Sequence, residues 1–286
     1  MNTPIAPAFL QLMERLAAML PLPRVRALHL PPFFDQLPGK DAEFCALELE
    51  DGSIGLSYVW LDGTFAALRE NTAVRDIAGA DPLSVARGYG QADAVARTVG
   101  FAGVNALSQH LFARAGYEPD ATTDSVGLLA AESCDHVGMV GLFPPLVERI
   151  LATGARLTVA ELKPELAQEN GRMRVTLDVR ELAACNKVIS TSTILLNDTL
   201  DNVLGACSGA TYFSVIGPGA GCLPDPLFAR GVSTIGGTRI VDRERFLAAL
   251  AAGEAWRGAA QKYCIRRENY PGVAQLIDRA VGGLKS

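Results

Sequence analysis

A change of rhythm halfway along the chain restricts its fold more than any other feature. "HVGMVGLFPPLVERILATGARLTVAEL", from His136 to Leu162, reads as strand, turn, helix, strand. The alternation then continues to Ala252. Strands are expected at Val137–Leu142, Arg156–Glu161, Lys187–Ser190, Thr211–Ile216 and Val232–Ile235. Helices are expected at Pro145–Thr153, Val179–Cys185, Asn197–Cys207, Asp225–Arg230 and Arg243–Ala252. Short apolar runs that alternate with helices imply a parallel sheet covered on both faces. Right-handed crossovers then make it doubly wound.

The first half has a different character. A helix over Pro7–Leu20 is expected to bury Leu12, Leu16, Met19 and Leu20, which recur at helical spacing. Pro21 and Pro23 stop it. Phe44 to Leu61 reads as a hairpin around Asp51-Gly52, the strongest short-range turn signal, and "RVRALHL" (Arg24 to Leu30) supplies a third strand. A long helix is expected over Gln91–Ala115, with Val95, Val99, Ala102, Ala106, Leu107 and Leu111 on helical spacing. Gly100 and Gly103 weaken that helix unless another backbone packs closely there. Gly116 ends it. The polar stretch Tyr117 to Val126 marks a boundary. The expected organisation is a smaller α+β domain over 1–120, an α/β domain over 121–255, and a helical, more basic tail over 256–286 that packs back on the first domain.

Charge and composition exclude several classes. A net charge of -5 with no basic stripe argues against nucleic acid. A 49% hydrophobic chain with 20% charged residues forms a sizeable core. No apolar run reaches membrane-span length, and Glu14 and Arg15 interrupt the apolar N-terminal stretch, so a cytoplasmic protein without membrane contact is expected. The six cysteines contain no C-x-x-C pair and read mostly as small buried hydrophobes. An apolar, low-charge chain of this kind is expected to dimerise.

Ligands of an open parallel sheet sit beyond the carboxyl ends of its strands. Four such ends carry notable chemistry. In Gly141-Leu142-Phe143-Pro144-Pro145 the prolines either stiffen an apolar lip, with Phe143 stacking on a flat partner, or only start the helix. Each proline also deletes a donor that would face a diphosphate. Glu161 follows Gly141 by 20 residues, the spacing at which a dinucleotide-binding acid meets a ribose, and it is equally a surface residue at a strand end. "STSTILLNDTL" (Ser190 to Leu200) gathers hydroxyls before a helix start, which suits an anion or a polar molecule, although Asn197 or Asp198 could serve only as an N-cap. "GPGAGCLPDPLF" (Gly217 to Phe228) exposes backbone, and its Cys222 is the one cysteine marked for a reactivity test.

At this point the second half resembles the Rossmann-like "putative heavy-metal chelation" domain family. The resemblance rests on "VGMVGLFPPLVERI", on Glu161 closing "LTVAEL", on "VISTSTILLNDTLDNVL" and on "VIGPGAGCLPDPLFARGVSTIGG". The first half is similar to its companion domain, of enolase N-terminal-like fold, through "VGFAGVNALSQ" and Asn105. The resemblance implies a ligand site between the domains. Gly141, Phe143, Pro144, Glu161, Thr191, Ser192, Thr193, Asn197, Thr199, Gly217 and Pro218 would line it, and Asn105 would reach in from the first domain. Two departures stand out: Ser192 and Asp198 occupy positions where the family tends to have Gly.

Whether the protein is an enzyme stays open at this stage. The first reading is a binder or modifier of a small polar organic ligand, such as a metal chelate or metallocofactor precursor. A chelated transition metal is then the cofactor the resemblance implies, and Glu161 is the candidate general base. Soft metals want clustered Cys or His, and Cys134-x-His136 is the one close pair. The second reading is a nucleotide-cofactor enzyme, such as an S-adenosylmethionine-dependent transferase or an NAD-type dehydrogenase. The missing G-x-G-x-x-G disfavours a dinucleotide. The third is a non-catalytic accessory protein in metallocofactor assembly. On any ligand reading, Glu161→Gln and Asn105→Ala are expected to abolish binding and leave the fold intact.

Overall fold

The computed structural model describes residues 5–32, 43–61, 63–123 and 129–283. The proposed boundary at Tyr117 to Val126 lies partly outside the described residues. In chain order the first elements are α1 (Ile5–Met19), β1 (Val25–His29), β2 (Phe44–Leu49), β3 (Ile54–Tyr58), α2 (Thr64–Glu70), α3 (Thr72–Arg75), α4 (Pro82–Ala86) and α5 (Ala94–Arg114). Then come β4 (Asp120–Ala121), β5 (His136–Val140), α6 (Pro144–Ala152), β6 (Arg156–Ala160), β7 (Gln168–Asn170), β8 (Met173–Thr176), β9 (Lys187–Thr191) and α7 (Leu200–Ala206). The chain continues through β10 (Tyr212–Ile216), α8 (Asp225–Phe228), β11 (Thr234–Ile240), α9 (Arg243–Ala252), β12 (Ala260–Arg266) and α10 (Val273–Gly282).

β1, β2 and β3 form an antiparallel sheet with β2 in the middle. Every residue of β2 is buried, because both faces of this sheet are covered. Cys45, Leu47 and Leu49 belong to the cluster that α5 fills. Phe44, Ala46, Ile54 and Leu56 pack with Phe246 and Leu250 of α9 and with Trp256. Asp93 caps α5 by accepting the Ala96 N–H at 2.7 Å, and Gly116 at φ 57 closes its other end. The glycines of α5 mark close backbone approach, as their positions suggested. A Cβ on Gly100 would lie 2.1 Å from the Tyr89 nitrogen, and one on Gly103 would lie 3.3 Å from Ala86.

The second sheet runs β4-β12-β11-β10-β9-β5-β6-β8-β7. Its six central strands, β11 through β8, are mutually parallel. Numbered by their order in the chain, they read 3-2-1-4-5-6 from β8 to β11. That is the doubly wound order, whose switch point falls between β5 and β9. All five expected strands of this half are present. Sequence reading missed β8, which extends the parallel row, and the antiparallel edges formed by β7, β12 and β4.

Three expectations need correction. The buried stripe of α1 is Ile5, Phe9, Met13 and Leu16, while Met19 is exposed. Phe9 stacks edge-on against Tyr89 and Phe101, so the aromatic partners decide which face of the helix turns inward. The stretch Val179–Ala184 is 3-10 and not α-helical, and the helix placed at Asn197–Cys207 starts only at Leu200. The tail after residue 255 is not wholly helical, because β12 pairs along β11 before α10 begins. α10 itself packs against α5 and α1. One apolar cluster runs from α1 and α5 into residues 194–203, 220–235 and 273–280, so the two sheets are joined through a shared core.

Candidate functional site

The carboxyl ends of β5, β10 and β11 open onto a cavity of about 490 Å³, closed on its other side by the first sheet. Phe143, Pro145 and Leu146 line it from the turn and first residues of α6, Gly217 and Pro218 from the loop after β10, and Phe44 from β2. Trp256, Tyr263 and Cys264 complete the apolar wall, and Glu43, Arg257 and Lys262 are its charged members. The aromatic side is built by contact. Phe44 meets Trp256 and Tyr58 edge to face, at ring centroid distances of 6.3 and 5.7 Å. Trp256 is buried against Phe246, which holds its indole in the wall.

The turn after β5 is fixed by Glu161. Its carboxylate accepts the Leu142 N–H at 2.9 Å and its neighbour Leu162 N–H at 2.9 Å. Phe143 then caps α6, with Pro144 at the first helical position and Pro145 at the second. The prolines therefore do start the helix, and Pro145 rather than Pro144 also faces the cavity. Tyr58 stands near Glu161. Burial, together with Glu43 and Glu161, pushes its phenol up to about 12, so it remains a hydroxyl at neutral pH.

The hydroxyl cluster lies across the switch point. The Thr193 hydroxyl donates to Thr191 Oγ1 at 3.1 Å, and a Cβ on Gly141 would sit 3.4 Å from the Thr191 methyl. Ser192 Oγ approaches the next loop so closely that a Cβ on Gly217 would lie 2.7 Å from it. Gly217 itself has φ 136, so both space and backbone geometry require glycine there. Asn197 and Thr199 turn inward on each other, the Thr199 hydroxyl donating to Asn197 Oδ1 at 2.6 Å. Thr199 and not Asn197 precedes α7.

Both departures from the resembled family have a structural account. Ser192 needs no left-handed backbone, and its hydroxyl packs on Gly217 and Gly219. Asp198 does adopt one, at φ 56, and pairs with Arg97 of α5. Arg97 also donates to the Leu196 carbonyl at 3.3 Å, and the buried Tyr89 hydroxyl donates to the Leu195 carbonyl at 2.6 Å. The first sheet's helices thus clamp the segment after β9.

Asn105 is fully buried and acts as a strut. Its amide donates to the Leu56 carbonyl at 2.7 Å and to the Gly219 carbonyl at 3.0 Å, while its Oδ1 has no hydrogen-bond partner. Gln109 donates to the Gly221 carbonyl at 2.8 Å and to the Tyr263 hydroxyl at 3.1 Å. Ser108 accepts the Leu223 N–H at 3.0 Å. These three side chains form a polar stripe on a helix whose middle is buried all round, and together they hold the Gly217–Leu223 loop.

Of the expected site residues, Phe143, Gly217 and Pro218 line the cavity. Gly141, Thr191 and Ser192 are in contact with them or with one another, and Glu161 joins through Leu142. Asn105 reaches the back of the same loop. Phe44, Trp256, Arg257, Lys262 and Tyr263 were missed. They come from strands and turns far apart in sequence, and only the "TIGGT" glycines opposite Tyr263 and Cys264 hinted at close packing. Cys222 needs correction as the cysteine to test. It is wholly buried, and burial pushes its thiol up to about 12. Cys264 is the cavity-lining cysteine.

The histidines stand elsewhere. His136 Nε2 is 2.8 Å from Thr158 Oγ1 at the amino ends of β5 and β6, the opposite end of the sheet from the cavity. His29 is paired with Glu48, and His110 with Asp51. Among the described residues no three His, Cys, Asp or Glu side chains gather as a metal site. No helix among them is long and apolar enough to cross a membrane.

Comparison with known proteins gives a consistent picture. A family described as "Putative heavy-metal chelation" matches residues 124–269. An uncharacterized protein of Methanocaldococcus jannaschii is 29% identical over 180 residues, spanning 62% of this chain and 68% of its own. A crystal structure of a protein of unknown function from Desulfitobacterium hafniense superposes with a TM-score of 0.66 at 20% identity, over 91% of this chain and 99% of that one. A Pyrococcus horikoshii protein of unknown function gives 0.62 at 18% identity, over 92% and 98%. Both structures come from the family named DUF364.

Proposed function

The chain belongs to the DUF364, "Putative heavy-metal chelation" family, and from that premise we propose that it binds a small organic ligand in the cleft between its two sheets. The ligand we favour is a metal chelate or a metallocofactor precursor. The observation that carries this reading is the cavity itself. It lies beyond the strand ends where doubly wound sheets take their ligands, and its walls are mainly apolar and aromatic. A bare heavy-metal ion fits poorly, because the described residues offer no cluster of soft or carboxylate donors. Any metal held here would bring its donor atoms with it.

The chain's own residues supply shape and orientation. Phe143, Phe44 and Trp256 offer ring surfaces, and the glycines at 217, 236 and 237 let a ligand approach backbone. Glu161 spends both oxygens on backbone N–H groups, so its first task is to set the Phe143 turn. Native mass spectrometry of protein purified without chelators, followed by denaturation and metal analysis, tests the reading. A stoichiometric organic molecule released on denaturation supports it. A metal ion released with no organic companion argues against it.

The strand order favours one alternative, a nucleotide-cofactor enzyme, since its switch point abuts the turn after β5. Against a dinucleotide, the two prolines remove donors there and the Leu142 N–H is taken by Glu161. Thermal stabilisation by S-adenosylmethionine or NAD at concentrations well above a typical dissociation constant would favour the alternative.

A further inference from the structure

The charged residues of the cavity narrow the ligand class. Arg257 and Lys262 reach its mouth from either end of the turn and strand that follow Trp256, and both are exposed. Glu43 is the one carboxylate residue among the lining side chains, and it stands toward Tyr58 on the first sheet. The rest of the wall is Phe44, Phe143, Pro145, Leu146, Trp256 and their apolar neighbours. Two cations beside a largely aromatic cavity are unusual in a chain of net charge -5, whose general field repels anions. Building on the cleft-binding reading above, we propose that the ligand is an anion with a flat, apolar body. The body lies among Phe143, Phe44 and Trp256, and one or more carboxylate-type groups face Arg257 and Lys262.

The cations act at the rim and the rings act within. An ion pair formed at an exposed rim is screened by salt, so affinity falls with ionic strength, whereas ring burial does not depend on it. A planar body suits the wall because aromatic pairs gain from stacked or edge-on contact beyond the area they bury. A neutral planar molecule would use only half of this arrangement.

A matched pair of fluorescent probes separates the two contributions. Anilinonaphthalene sulfonate is a flat aromatic anion, and N-phenyl-naphthylamine has the same ring system without the charge. Both are titrated into the full chain carrying Trp60→Phe, so that energy transfer from Trp256 reports binding at the cleft. The sulfonate is expected to bind one per chain and about tenfold tighter than the neutral probe, as a charge-assisted hydrogen bond predicts. Arg257→Gln with Lys262→Gln should remove that advantage and leave the neutral probe unaffected. Both substituted side chains are exposed, and an unchanged urea midpoint confirms the fold. Equal affinity for the two probes, or a double variant that still prefers the sulfonate, overturns the anionic ligand while leaving a cleft binder standing. If neither probe is sensitised by Trp256, or if Phe143→Ala changes neither affinity, the cleft reading falls and this inference falls with it.

Discussion

Glu161 accepts the backbone N–H of Leu142 at 2.9 Å, so one carboxylate ties the carboxyl end of β6 to the turn after β5. The residue expected to touch a ligand is first of all a brace for the loop that presents Phe143. Glu161→Gln keeps the size of the side chain but loses one of two charge-assisted acceptors. It should cost about 1–2 kcal/mol of stability and weaken probe binding at the cleft. Urea denaturation and a probe titration on the same variant check both. An unchanged urea midpoint would mean that the brace is dispensable.

Asn105→Ala removes two bonds that hold the Leu56 and Gly219 carbonyls inside the protein. The sequence reading expected this variant to leave the fold intact. The structure instead predicts a loss of roughly 2–3 kcal/mol, because buried acceptors lose their partner. Asn105→Asp should be worse, since a carboxylate would face two carbonyl oxygens. Thermal unfolding of the two variants gives the ranking.

Asp198 holds φ 56 and pairs with Arg97. Glycine would relieve the left-handed strain, about 1 kcal/mol, and would lose an exposed ion pair of similar or smaller worth. Asp198→Gly should therefore match the parent stability within about 0.5 kcal/mol, while Asp198→Ala keeps the strain, loses the pair and falls about 1 kcal/mol lower. Chemical denaturation distinguishes the three proteins.

Asp135 sits at the amino end of the second sheet. Burial alone would raise its carboxyl, but Lys187, Asn186 and the Glu132 N–H hold it at about 2, below the ordinary 3.8. A carboxyl lowered on folding stabilises the protein above its ordinary value, and that contribution is lost as pH falls through the folded value. Stability should therefore drop between about pH 4 and pH 2. Lys187→Met should lower stability at neutral pH and flatten this acid limb. Urea midpoints across pH for both proteins provide the check.

Cys134 is exposed, while the other five cysteines are buried. Burial also pushes the thiols of Cys45 and Cys207 up to about 12 and that of Cys185 to about 11. One thiol per native chain should react quickly with a water-soluble disulfide reagent, and Cys134→Ser should abolish that phase. A fast phase that survives the substitution would point to opening of the cleft at Cys264.

The strands of the second sheet were legible because each is a short apolar run set off by turn residues, a local signal that survives any tertiary arrangement. The same holds for α5, whose cap at Asp93 and stop at Gly116 are written beside it. β12 was read as part of a helical tail because "QKYCIRRE" lacks strand punctuation, and its pairing with β11 supplies the missing evidence. The buried face of α1 was read one register away, since several apolar faces compete in a short helix and packing against Tyr89 and Phe101 selects one.

The sequence by itself determined which residues could stand at the strand ends, because strand length and turn chemistry are local properties of the backbone. Phe143, Gly217 and Pro218 were found in this way. Only the tertiary structure decided what faces them. Phe44, Trp256, Arg257 and Lys262 come from distant parts of the chain, and no spacing rule links them to Phe143. The same holds for Asn105 and Glu161, which read as ligand contacts and proved to hold backbone. A side chain's hydrogen-bond partners are set by what folding brings within about 3 Å, and that distance is not encoded in sequence separation.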